Sequence, residues 1–203
     1  AFQLKEASED VLVEHLKDAD VIVVNMAPMR ASLLSHLKRC KLIIRHGIGY
    51  DNVDVEACTR LGIQFANQPE YCKIEVAEHT VALILACARN LFGCRKSLDR
   101  SSVKGKWDFG DVFPLYRMEG KTLGLLGVGR IGSLVARKLS GFGLTMMGYD
   151  PLLDDKQKKS LVVQFASLEE VLEKSDYVSL HLPLNSQTKH IINRTTLRRM
   201  RST

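Results

Sequence analysis

Short apolar runs of strand length recur along the chain, separated by segments in which apolar residues return every three or four positions. Residues 11–17 carry the helical spacing, and Asp20-Val-Ile-Val-Val24 is a continuous apolar strand. Residues 32–40 are again helical, Lys41-Leu-Ile-Ile44 is a buried strand, 53–61 a helix, and Ile63-Gln-Phe-Ala66 a short strand after Gly62. Strands alternating with helices predict a parallel sheet covered on both faces, whose ligands bind beyond the carboxyl ends of the strands. Gln68 to Tyr71, with Pro69, breaks the pattern and marks a crossover between domains.

A long helix follows at 74–90, apolar almost all round, which predicts burial on every side against another domain or subunit. Residues 101–118 are punctuated by glycine, hold the only tryptophan, Trp107, with Phe109 and Pro114, and predict an arm or loop. The strand–helix alternation then resumes: strand 121–126, helix 133–142, strand 144–149, helix 154–160 and strand 161–165. Ser167-Leu-Glu-Glu170 is a capping box opening a helix to Lys174. A strand at 177–182 is halted by Pro183, and Asn193 caps a last helix.

Between the strand at 121–126 and its helix lies Gly127-Val-Gly-Arg-Ile-Gly132. In such a unit Gly127 permits the turn, Gly129 lets the backbone approach a pyrophosphate, and Gly132 lets helix and strand pack closely. The helix N-terminus offers the anion free N–H groups and a positive dipole end. Asp150 ends the next strand, 18 residues beyond Gly132, near the roughly 20 that a dinucleotide site requires. An aspartate there accepts hydrogen bonds from the adenine ribose hydroxyls and repels a 2′-phosphate, which favours NAD over NADP.

Two further stretches carry chemistry with alternatives open. In Arg45-His-Gly-Ile-Gly-Tyr-Asp-Asn52, Gly47 and Gly49 either turn successive N–H groups toward a carboxylate, with Arg45 close by, or form a plain strand-to-helix turn. His181 ends a strand on the sheet edge that carries the glycine turn, and serves either the cofactor or the structure. His79, within the long helix, reads as an ordinary buried histidine.

Composition narrows the class. The chain has 203 residues, 45% of them hydrophobic, enough for a real core. Its longest apolar run, Val81 to Ala88, is far below the ~20 residues of a membrane span. A net charge of +6 is spread singly over helices without interleaved aromatics, which argues against nucleic acid. Five cysteines without CxxC spacing suggest neither disulfides nor a metal site, and a cytoplasmic protein is expected.

Taken together, the loop at 45–52, Glu75-Val-Ala-Glu-His-Thr-Val-Ala-Leu-Ile-Leu85, Gly105-Lys-Trp-Asp108, the turn at 120–132, Gly148-Tyr-Asp-Pro151 and His181-Leu-Pro-Leu184 resemble the D-isomer-specific 2-hydroxyacid dehydrogenases. Pro69 to Thr80 and Trp107-Asp-Phe109 are most similar to the branch of the C-terminal-binding proteins, NAD(H)-binding relatives that include corepressors. The resemblance implies doubly wound parallel sheets: a partial flavodoxin-like substrate domain at 1–72 and a partial Rossmann-type NAD-binding domain at 73–203, with a dimerisation helix and arm at 74–118. It implies cofactor contacts at Ile48, Gly127, Gly129, Arg130, Ile131, Gly132, Asp150, His181, Leu182 and Pro183. It implies substrate contacts at Arg45, Ile48 and Gly49, with the carboxylate of a small 2-hydroxy or 2-keto acid held by backbone N–H groups. The family's catalytic arginine, glutamate and histidine are expected downstream of Thr203 and its first strand before Ala1, so the chain resembles a fragment that is itself inactive. Asn25 stands where phosphoglycerate-using relatives carry an arginine. The activity implied is hydride transfer between a D-2-hydroxy acid and NAD in a homodimer; the alternative is a corepressor-like NAD(H) sensor.

Overall fold

The computed structural model describes residues 7–108, 110–113 and 115–202; Phe109, Pro114 and Thr203, singled out above, lie outside them, as does Ala1. The chain divides into two compact units, residues 1–72 with 183–186, and residues 73–182 with 187–203.

The first unit runs α1 (Glu9–Leu16), β1 (Val21–Val24), α2 (Ala31–Leu34), β2 (Leu42–Arg45), α3 (Val55–Arg60) and β3 (Gln64–Asn67). Its strands are parallel in the order β1-β2-β3. Leu12, Ile22, Val24, Leu33, Leu34, Ile43, Ala57 and Cys58 form its core. The helix expected to Cys40 stops at Leu34, because from His36 the backbone bonds shift to i−3 spacing, while Leu37 and Cys40 stay buried. The expected cover on both sheet faces is incomplete here: Val21 and Val23, on the face opposite Ile22 and Val24, are 53% and 65% exposed.

The second unit holds α4 (Lys73–Ala88), α5 (Leu91–Lys104), β4 (Thr122–Leu126), α6 (Arg130–Leu139), β5 (Thr145–Tyr149), α7 (Asp155–Lys159), β6 (Gln164–Phe165), α8 (Leu168–Lys174), β7 (Tyr177–Leu180) and α9 (Arg194–Arg199). All four strands are parallel in the order β6-β5-β4-β7, the 3-2-1-4 order of a doubly wound sheet. On one face, Leu123 and Leu125 pack with Val135, Ala136 and Leu139 of α6 and with Ala77, Val81 and Leu85 of α4. Beneath the other, Leu126 and Met147 pack with Val171 and Leu172 of α8. β4 is thus covered on both sides, which is why it is apolar without alternation.

Two expectations change. Within this chain the long helix buries one side only: Ile74, Val76 and Leu83 are exposed, and so is His79, which was expected to be buried. α5, of which only the last turn falls in the stretch expected to be an arm, was announced by no apolar stripe. Its buried residues are serines: Ser97 and Ser101 both donate to the Asp108 carbonyl, at 2.6 and 3.1 Å. Asn90 caps it by accepting from the Gly93 N–H, and Gly105, at φ +63°, ends it. At α8 the capping box is half made: Ser167 accepts from the Glu170 N–H, but the Glu170 side chain pairs with Lys174 instead. Full boxes stand at Asp154/Gln157 and Asn193/Thr196.

At the amino-terminal edge of this sheet, the Asp176 carboxylate, 7% exposed, accepts from the Thr122 N–H at 2.9 Å and from Lys121 and Arg201, both at 3.2 Å. Burial works against its charge, but the Thr122 amide and then the two cations outweigh it and hold the carboxyl below its ordinary range. A depressed carboxyl stabilises the fold above its unfolded pKa of about 4, and that contribution disappears as pH falls through the folded value. Asp176→Asn is therefore expected to lose about 1–3 kcal/mol at pH 7 and a smaller amount at about pH 3, below the unfolded pKa. Urea unfolding at the two pH values checks this; an equal gap at both would refute it.

Candidate functional site

β4, β5 and β7 bring their carboxyl ends together. The Gly127 N–H donates to the Tyr149 carbonyl at 2.8 Å, and the His181 N–H to that of Leu126 at 2.7 Å. Gly127 adopts φ +89°, and a Cβ there would stand 2.8 Å from the His181 carbonyl oxygen, so the position excludes any side chain on two counts. At Gly132 a Cβ would run into the Gly127 carbonyl: this is the close helix–strand approach expected of it. Gly129, the N-cap residue of α6, faces open space instead, since a Cβ there would meet no atom within 4 Å, and no side chain caps the helix. The uncapped N–H groups and the cleared volume fit an anion approaching along the helix axis.

Around this turn stand the other expected residues of the unit. Arg130 is exposed and Ile131 half-buried at the start of α6. Asp150 follows β5 and is half-buried; its Oδ2 accepts from the Val128 N–H at 2.9 Å and its Oδ1 from the Leu152 N–H at 3.0 Å. The His181 ring lies against the start of α6, where a Cβ on Gly132 would sit 3.5 Å from its Cδ2. Burial pushes its imidazole below the ordinary range, so it is neutral at pH 7. The Ser179 hydroxyl lies 3.0 Å from His181 Nε2. Sequence reading overlooked Ser179, although its i, i+2 relation to His181 on one strand was a visible signal. Leu182 lies beside Gly127, and Pro183 falls in the other unit.

In the first unit, the loop after β2 is pinned at several points. The Gly47 carbonyl accepts from the Gln68 N–H at 3.0 Å, and the Ile48 carbonyl from the Asn67 side chain at 2.8 Å. Asn52 donates to the Ala27 carbonyl at 2.9 Å, and His46 stacks on Tyr71 at 5.5 Å. Among the described residues, the N–H groups of Ile48 and Gly49 meet no protein acceptor, and Gly49 is exposed. Arg45 does not project freely: its guanidinium folds over its own loop, donating to the His46 carbonyl and, more weakly, to Met26 Sδ, and its buried Nε has no partner. Among the described residues no group of histidine, cysteine and carboxylate side chains could hold a metal ion, and no helix is long and apolar enough to cross a membrane.

A 3-2-1-4 parallel sheet with a glycine turn into an uncapped helix, and an aspartate closing the second strand, defines a dinucleotide-binding protein of the Rossmann class. The family model for the D-isomer specific 2-hydroxyacid dehydrogenase, NAD binding domain, matches residues 81–203, and the chain belongs to that family. It is 36% identical over 201 residues to a glyoxylate reductase of Korarchaeum cryptofilum, covering 97% of this chain and 59% of the relative. Among solved structures it resembles D-lactate dehydrogenase from Aquifex aeolicus complexed with NAD and lactic acid, with TM-score 0.82, 32% identity, and 96% and 56% of the two chains covered. It also resembles an acyclic imino acid reductase in complex with NADPH and D-Arg, with TM-score 0.83, 28% identity, and 96% and 61% covered. The chain spans about 60% of the length of these relatives. NAD as the cofactor of the second unit agrees with the domain matched.

Proposed function

We propose that this chain supplies the NAD-binding unit and part of the substrate unit of an oxidoreductase that transfers a hydride between the 2-carbon of a D-2-hydroxy acid and NAD. The observation that carries this is the geometry of the glycine turn, open at Gly129 and closed by Asp150 at the end of β5. NAD, when bound, supplies the hydride acceptor or, reduced, the donor. The uncapped start of α6, with Gly129, Arg130 and Ile131, holds its pyrophosphate, Asp150 its adenine ribose, and His181, Leu182 and Pro183 line the nicotinamide side. In the substrate unit, residues 1–72, the N–H groups of Ile48 and Gly49, which meet no protein acceptor among the described residues, bind the substrate carboxylate, with Arg45 beside them. None of these residues is assigned the proton transfer. Nothing in the fold or in these likenesses favours the sensor alternative.

Fluorescence titration tests the cofactor assignment. NADH should bind at least about tenfold more tightly than NADPH, and Asp150→Ala should weaken NADH while cutting that preference to about threefold or less, since the lost carboxylate both accepts ribose hydroxyls and repels a 2′-phosphate. Equal or tighter NADPH binding by the wild type would refute it. The same proposal includes a cytoplasmic homodimer formed through the exposed apolar side chains of α4 and α5, among them Ile74, Leu83, Phe92 and Val103. Light scattering should return twice the chain mass; a monomer at micromolar concentration would overturn the dimer.

A further inference from the structure

We propose that Asp150 is a positioning residue for the phosphate-binding turn, independently of any contact it makes to ribose; this rests on the cofactor reading above. Two hydrogen bonds motivate it, and they differ in kind. The Leu152 bond, two residues on, is a local turn that an aspartate after a strand makes readily. The Val128 bond spans 22 residues and joins the end of β5 to the middle of the glycine turn.

Val128 is 1% exposed, so water does not replace an acceptor lost at its N–H. With Asp150 in place, the Val128 N–H is turned toward the end of β5, beside a helix start that no side chain caps. The glycines at 127 and 129 leave the turn free to adopt other conformations; the carboxylate selects one. An ionised carboxylate offers about four lone-pair sites. Val128 and Leu152 use two of them, which leaves two for the pair of ribose hydroxyls. Bracing and ribose binding are thus simultaneous, and the adenosine half of the cofactor meets a turn already shaped for the pyrophosphate.

A carboxylate also repels a diphosphate, so Asp150→Ala by itself mixes lost bracing with lost repulsion. Asp150→Asn separates them: it removes the charge and keeps an oxygen that accepts from Val128. Calorimetric titration of this chain with ADP and with 2′,3′-dideoxy-ADP, which has no ribose hydroxyls to grip, reads the difference. With the dideoxy nucleotide, Asp150→Ala should bind at least about fivefold more weakly than Asp150→Asn, the order expected when a buried amide loses its acceptor. Equal binding by the two variants would overturn the brace while leaving the ribose contact standing. Failure of the wild type to bind ADP would overturn the cofactor reading and this inference with it. Should Asp150→Ala not fold, hydrogen exchange in the wild type decides: the Val128 amide should exchange at least about tenfold more slowly than that of Gly129, and matching rates would refute the brace.

Discussion

A Gly129→Val variant is expected to fold as the wild type does and to bind NADH at least about 100-fold more weakly. The two halves of this expectation come from one observation: a Cβ at position 129 would meet no atom within 4 Å beyond its chain neighbours. What it occupies is the space in front of the first turn of α6. Backbone N–H groups that grip a phosphate contribute about 1.5–3 kcal/mol each, so displacing the anion from two of them is enough for the stated loss. Stability should change by no more than about 1 kcal/mol, since φ −74° is a value that residues with side chains adopt. Gly132→Ala makes the contrast, because its Cβ collides with the Gly127 carbonyl in the free protein. That variant should lose both stability and binding. Thermal denaturation and NADH titration of the two side by side provide the check, and wild-type affinity in Gly129→Val would remove the phosphate from this turn.

Gly124→Val is expected to destabilise the second unit by about 3 kcal/mol, lowering its melting temperature by roughly 10 °C. Two effects oppose each other here. Valine is the better strand former, but the whole strand-propensity scale spans only about 1 kcal/mol. Against that, a Cβ at 124 meets the Ser175 hydroxyl and lies 2.8 Å from Val171 Cγ1. Both neighbours are buried, and Ser175 is further held by its hydroxyl bond to the Val171 carbonyl, so neither can move aside. Overpacking therefore wins. Calorimetric melting decides the matter: a variant at or above the wild-type temperature would mean that α8 shifts freely against β4. Adding Ser175→Gly should recover part of the loss, which a mere change in strand propensity would not allow.

Both glycines illustrate what was legible in the sequence. The turn at 127–132 announced itself because a phosphate-binding turn needs glycine for reasons of volume and φ that hold in any context, and the structure assigns each of its three glycines a separate reason of that sort. Strands buried on both faces were legible as unbroken apolar runs, and β4 is one. α5 was not legible because its buried side is polar: Ser97 and Ser101 are satisfied by a carbonyl that the following loop brings back, a partner that no periodicity encodes. Arg45 was expected beside the nest, and the folding of its side chain over Gly47 depends on a glycine two residues away and on Met26 from another strand end. The second function inferred for Asp150 was hidden in the same way, since its partner Val128 is an amide and carries no mark in the side-chain sequence.

β1 carries a consequence of another kind. Among the described residues it borders the first sheet, with Val21 and Val23 turned outward and exposed and no charged residue among its four positions. Edge strands that stay soluble usually bear a lysine, a proline or a bulge to discourage an incoming strand. This one bears none of these, so it is a template on which a second extended segment can grow by main-chain pairing. Association along that edge would be separate from a dimer formed through α4 and α5, and a single lysine at position 23 is the smallest change expected to discourage it.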